Sequence, residues 1–257
     1  MTKDEMRRYL EFYQDLGVKT VFARAATAGA SASEPVESVQ IASPASQLPS
    51  APEATPAPLK LPALEPTGDS LLKILEDIGD CKRCRLHEGR NKIVFGTGDE
   101  HAKLVFVGEG PGADEDQQGL PFVGRAGQLL TQMIEGTARK EGIPIERRDV
   151  YICNVVKCRP PENRTPQPDE MEICGQFLYR QLQAIRPKAI CALGSTAAKA
   201  VLGTKEGVTR LRGKWQQWRD IPVMVTYHPS YLLRPYNQNA KKESWEDLKK
   251  VLHYVYD

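Results

Sequence analysis

Four cysteines, a glycine-rich turn and a histidine placed after an apolar run are the residues of this 257-residue chain best suited to chemistry. Cys81 and Cys84 form a CxxC in CKRCRL, while Cys158 in KCRPPENRTP and Cys174 in EICGQF lie sixteen positions apart. Four thiolates make a complete set of ligands, which either a structural zinc ion or an iron-sulfur cluster can use. The first pair stands among Lys82, Arg83 and Arg85 rather than in an apolar run, which argues against simple burial as thiols. Cys153 and Cys191 do lie inside apolar runs, and are read as core packing.

The turn Gly108-Glu109-Gly110-Pro111-Gly112 offers backbone amides that can cradle a phosphate or an anionic oxygen. It lacks the Lys-Ser/Thr of a P-loop and does not fit GxGxxG, so a nucleotide cofactor is disfavoured. The acidic run Asp114, Glu115 and Asp116 that follows reads as a solvated loop. Phe122, between Pro121 and a Val-Gly turn, either stacks on a planar ligand or anchors its loop. His228 is kept from starting a helix by Pro229, so its imidazole should face the end of a strand.

These residues need elements to position them. Apolar bursts at 103–108, 150–156, 188–194 and 221–227 predict four buried strands. Between them, residues 126–140, 168–185 and 195–202 show helical spacing, and a last helix is predicted over 241–256. Strict alternation implies right-handed crossovers, hence an α/β fold: a three-layer α/β/α sandwich around a central, mainly parallel four-stranded sheet. Chemistry in such sheets sits at the carboxyl ends of the strands. Those ends carry GEGPG, Asn154, LGS and YHPSYLL.

Composition bounds the class. No run approaches the roughly 18 apolar residues of a membrane span, and MTKDEMRRYLEFYQ has no export signal, so a soluble cytoplasmic protein with reduced cysteines is expected. Residues 1–69 carry net charge −3 against +5 for residues 70–257, a balance that permits a polyanionic partner without demanding one. Residues 25–66 are mostly Ala, Ser, Pro, Glu and Thr, and cannot bury enough surface to fold, so a disordered N-terminal linker is expected there. Before it, residues 1–24 hold apolar positions at near-helical spacing, which predicts a short amphipathic helix: a tethered docking peptide for a protein partner, or a frayed terminus. The domain proper is expected over 67–257, as a monomer.

The motifs then resemble a known family. The CxxC, VFGTGDEHAKLVFVGEGPGADEDQQGLPFVGRAGQLL, NVVKCRPPENRTPQPDE with Cys174, LRGKW and HPSYLL follow one another as in the family 4 uracil-DNA glycosylases, the iron-sulfur type. The resemblance covers about residues 69–257 and is silent on what precedes. It implies cleavage of the bond between uracil and deoxyribose in a nucleotide flipped out of uracil-containing DNA. It implies a 4Fe-4S cluster on Cys81, Cys84, Cys158 and Cys174. His228 and amides of the glycine-rich turn, Gly110 included, would stabilise charge on uracil O2, and Glu109 or its turn would hold the attacking water. Asn154 would read the base edge, Phe122 would stack on the ring, and Glu115 would close the space beside C5. Leu232 and Leu233, expected exposed, resemble a wedge that fills the vacated space, the alternative being packing against the last helix, with Arg159 and Arg164 near the DNA backbone. The competing reading is a zinc-stabilised nucleic-acid-binding module or nuclease. A nuclease metal would need carboxylates from several elements, and the sequence offers only the run 114–116.

Overall fold

The computed structural model describes residues 68–257. The helix expected over 1–24, the linker over 25–66 and the exact start of the domain lie outside the described residues.

The chain runs through helix α1 (Leu71–Ile78), strand β1 (Thr97–Gly98), β2 (Leu104–Gly108), α2 (Ala113–Gln118), α3 (Arg125–Glu141), β3 (Tyr151–Asn154) and α4 (Pro168–Ile185). It continues through β4 (Ala189–Leu193), α5 (Gly194–Leu202), α6 (Val208–Leu211), β5 (Trp215–Trp218), β6 (Ile221–Thr226), α7 (Pro229–Leu232) and α8 (Gln238–Tyr256). The sheet order is β1-β3-β2-β4-β6-β5. Its four central strands are parallel and its two edges antiparallel.

The central strands can be apolar throughout because both faces are covered. Val105, Val107, Cys153, Ile190, Ala192, Val223 and Val225 belong to one core with Ile74 of α1, Phe177, Leu178 and Leu182 of α4, and Ala197 and Val201 of α5. Their neighbours along the strands, Leu104, Phe106, Ile152, Cys191 and Met224, belong to the other with Leu130 and Met133 of α3 and Leu248 and Val251 of α8. The period of two thus splits each strand between two layers of helices. Cys153 and Cys191 are wholly buried, one in each core.

Chain direction reverses about β2: the chain steps from β2 to β3 on one side, then crosses to β4 on the other. The crevice at the carboxyl ends of β2 and β4 is the topological switch point, where an open α/β sheet has room for a ligand.

Three expectations are corrected. The sheet has six strands rather than four, because two-residue β1 and β5, Trp-Gln-Gln-Trp, are partly exposed edges with no continuous apolar run. The run 114–116 is not a solvated loop. It forms half of α2, where buried Asp116 accepts from Asn91 N (2.9 Å) and Asn91 Nδ2 (2.6 Å). Leu232 is not exposed. One helical turn from Pro229 puts both on the inward face of α7, leaving Leu232 in the core and Leu233 at the surface. Among the described residues no helix is long and apolar enough to cross a membrane.

Candidate active site

A cleft of about 460 Å³ opens at the switch point, within the range of ligand pockets. It gathers Glu109 and Gly110 after β2, Glu115 of α2, Phe122, Asn154 at the end of β3, and His228 after β6. Arg164 lines it too, whereas Arg159 is not part of the lining and donates from Nε to Asn163 Oδ1 at 2.8 Å. Arg125, Leu193, Gly194 and Ser195 complete the walls in part, and the sequence had not singled out Arg125.

The base of the cleft is a close three-way contact. Gly108 stands where a Cβ would collide with Asn154 Oδ1 and with the Phe122 ring, so only glycine lets these side chains meet over the strand end. Asn154 is 1% exposed, and its Oδ1 is a buried acceptor without a hydrogen-bond partner. Leaving such an atom unpaired costs about 1–3 kcal/mol, so the fold retains it against its own stability. An N–H donor on a ligand would satisfy it.

Phe122 is almost buried, and its backbone sits at φ 53°, a region that costs a non-glycine residue energy. Three groups hold it there. Arg147 donates to the Pro121 carbonyl at 2.8 Å. Glu115 Oε1 accepts from Val123 N and Gly124 N, both at 2.9 Å. Gly127 of α3 has no side chain where the Phe122 backbone passes. The ring lies 5.6 Å from the His228 ring, tilted by 36°. Both alternatives for Phe122 therefore coexist: the residue is anchored, and its ring lines the cleft.

Glu115 also accepts from Gly112 N at 3.0 Å. Three backbone amides fix this carboxylate, which makes it a stiff wall. The same bond takes up one amide of the glycine-rich turn, so Gly112 N–H is not free for a ligand oxygen. Glu109 is held by the Thr196 hydroxyl, which donates to its Oε2 from the first turn of α5. Arg164 forks onto Oε1 and Oε2 of buried Glu170 at 2.7 and 2.9 Å, so part of its charge is committed inside the protein.

His228 is poised as a neutral donor. Its Nδ1 accepts from Ser230 N at 3.2 Å and meets Ser230 Oγ at 2.7 Å, which places the ring proton on Nε2. Burial in the cleft wall, against a smaller opposing pull from Glu115, lowers its pKa to about 4. Thr196 and Ser230 were missed in the sequence. The only available signal was position: a hydroxyl in a first helical turn, and one two residues after a histidine.

Cys81, Cys84, Cys158 and Cys174 line a separate small cavity between α1, α4 and the segment after β3. All four are free thiols, and no carboxylate lines the cavity. Arg90 Nη1 reaches Cys158 Sγ at 3.4 Å, and Lys157 N donates to Cys174 Sγ at 3.2 Å. Burial pushes the Cys84 and Cys158 thiols up, and Cys174 up to about 12, so a cationic ligand is what would hold them as thiolates. Among the described residues no three His, Cys, Asp or Glu side chains converge on one ion-sized point. Four thiols facing one cavity make a ligand set that either a structural zinc ion or an iron-sulfur cluster could use.

The family model described as the uracil DNA glycosylase superfamily matches residues 95–249. A type-4 uracil-DNA glycosylase of Thermotoga maritima is 45% identical over 192 residues, 74% of this chain and 97% of that protein. One of Sulfurisphaera tokodaii is 45% identical over 71% of this chain and 84% of its own length. One of Archaeoglobus fulgidus is 43% identical over 71% and 92%.

The lowered His228 pKa has a definite sign. The unfolded imidazole takes its proton near pH 6.5 and the folded one only near 4, so the contribution to stability is full above pH 6.5 and is lost as the pH falls toward 4. Nitrogen-detected NMR of the imidazoles should show His228 as the neutral Nε2–H tautomer from about pH 8 to about pH 5. A midpoint near 6.5, or a proton on Nδ1, would contradict the assignment.

Proposed function

The chain belongs to the uracil DNA glycosylase superfamily, and from that premise we propose how its residues divide the work of releasing uracil. As a uracil-DNA glycosylase it acts on DNA and hydrolyses the N-glycosidic bond, leaving an abasic site for base excision repair of deaminated cytosine.

The unpartnered Asn154 Oδ1 carries the reading of the base. Uracil presents N3–H as a donor and O4 as an acceptor. The Asn154 amide matches both, its oxygen accepting from N3–H and its nitrogen donating to O4. Cytosine presents the reverse pattern and would leave the buried amide unpaired, a stronger ground for rejection than shape. Phe122 stacks on the flipped ring. Thymine adds one methyl at C5, which meets Glu115; a methyl group is worth only about 1–3 kcal/mol of discrimination, and the three amides on the carboxylate are what keep that wall from yielding.

As the glycosidic bond breaks, uracil leaves as an anion and positive charge grows on the sugar. His228 donates from Nε2 to O2, where the negative charge collects, and the Gly110 amide adds a second dipole. A neutral imidazole keeps its proton through this step, so it stabilises the anion by hydrogen bonding rather than by proton transfer. Glu109, oriented by Thr196, positions the water that attacks the sugar carbon. Leu233, exposed just past His228 in the chain, is the wedge residue, and Arg159 and Arg164 are read as facing the DNA backbone. Leu232 has no part in the wedge.

For the cysteines the reading is a 4Fe-4S cluster on Cys81, Cys84, Cys158 and Cys174. It is supported by their shared cavity, by the Arg90 guanidinium on Cys158 and by the Lys157 backbone amide on Cys174. When bound, the cluster supplies four metal–sulfur bonds tying the segment after α1, the segment after β3 and α4 into one unit. The catalytic domain is assigned to 67–257, a cytoplasmic monomer, with 25–66 a tether and 1–24 either a docking segment or a frayed terminus. The last three assignments rest on sequence pattern alone.

Purified protein given a uracil-containing oligonucleotide in chelator should produce alkali-labile sites at uracil alone; metal-dependent cleavage at any base would favour the nuclease. His228→Ala should slow single-turnover uracil release about a hundredfold to a thousandfold while DNA affinity changes little. A collapse of affinity at an unchanged rate would make His228 a binding residue. Protein purified without added metal should contain iron, and stoichiometric zinc in its place under iron-replete expression would overturn the cluster assignment.

A further inference from the structure

Lys157 is a lysine where the fold should tolerate none. It is 1% exposed, and among the described residues no carboxylate pairs with it. Burying an ammonium is expensive unless its donors are met, so its partners identify what it is for. Its Nζ donates to the Asn154 backbone carbonyl at 2.8 Å and to Gln181 Oε1 at 2.6 Å. Gln181 is fully buried in turn, its Nε2 donating to the Phe95 carbonyl at 3.0 Å and to the Tyr151 hydroxyl at 3.2 Å. At the other end of the residue, Lys157 N donates to Cys174 Sγ, and its carbonyl accepts from Val94 N at 2.8 Å.

The place of the bond in the sheet gives it meaning. Backbone groups of successive strand residues point to opposite sides, and Val155 N donates toward β2, to Gly108 O. The Asn154 carbonyl faces the other way, toward β1, which pairs only with Tyr151 and Ile152 and has ended. Val155 N anchors that peptide unit on its β2 side, and its β1 side has no strand partner. Lys157 replaces the missing strand. The residue also lines the cysteine cavity, where its backbone amide meets Cys174, so one residue borders that cavity and holds the Asn154 backbone.

We infer that Lys157 is a positioning residue for uracil recognition: by holding the Asn154 carbonyl it fixes the Asn154 amide in the cleft, and it joins that amide to the cysteine cavity. This rests on the reading of Asn154 as the group that contacts the base.

Lys157→Met in the full chain keeps the length of the side chain and removes its donors. Three quantities decide the matter: iron per chain, binding of free uracil, and single-turnover uracil release beside affinity for DNA. The expected result is iron content equal to that of the unsubstituted protein and DNA affinity within about threefold. Free-uracil binding and uracil release should both fall about tenfold to a hundredfold, as for a misplaced contact group. Unchanged uracil binding and release would overturn the inference. So would loss of iron with uracil binding intact, since Lys157 would then serve the cysteine site alone. Should Lys157→Met not fold, Gln181→Leu removes the ammonium's other anchor, and the same paired loss is expected at smaller size; unchanged uracil binding in that variant overturns the inference. Failure of the underlying reading is visible separately, as uracil binding that survives Asn154→Leu.

Discussion

One buried amide oxygen, Asn154 Oδ1, has nothing to accept from, and much of the structure serves to keep it so. A polar atom in that state costs more than most single contacts return, and side chains usually rotate to escape it. Here Gly108 admits the amide against the strand, the Phe122 ring packs beside the same glycine, and Lys157 donates to the Asn154 backbone carbonyl. Phe122 in turn occupies a backbone conformation that its sequence would not choose, and is pinned by Arg147, Glu115 and Gly127. On the proposed reading, the stability lost at these positions is the binding specificity gained when a base supplies the missing donor.

The charges follow the same logic. Uracil is neutral when it enters and anionic when it leaves, so the groups around it must favour the second state without repelling the first. A histidine kept neutral by burial, with its proton fixed on Nε2 by Ser230, meets that demand; a cationic one would attract any passing phosphate. Formal positive charge stands farther out on Arg125 and Arg164, and Arg164 is partly neutralised by Glu170. On the other side of β3, Arg90 and Lys157 border four cysteines with no carboxylate among the lining. The two sites share the strand and its following segment but not their electrostatics.

The parallel core was legible because its strands are apolar on both faces, and helix α4 because Pro168 opens it and apolar spacing sustains it to Ile185. The edges were not, since Trp215–Trp218 alternates half-buried and exposed residues, and Thr97–Gly98 is too short to carry a pattern. Motif order identified the family and the residues that share the cleft. What it could not supply were the supports. Thr196, Ser230, Arg147 and Lys157 act through one or a few hydrogen bonds each, and no periodicity records such bonds. Leu232 failed for a local reason: a four-residue helix after Pro229 turns one leucine of the pair inward.

The central claim, that a pre-positioned amide at Asn154 reads the base, is tested most directly by single-turnover release of uracil and of cytosine from otherwise identical oligonucleotides by Asn154→Asp. A carboxylate lacks the donor to O4, and when protonated it can present either pattern. Uracil release should therefore fall by about a hundredfold, DNA binding should hold, and any new activity should be on cytosine. Full activity on uracil in this variant would remove Asn154 from the pocket and contradict the account.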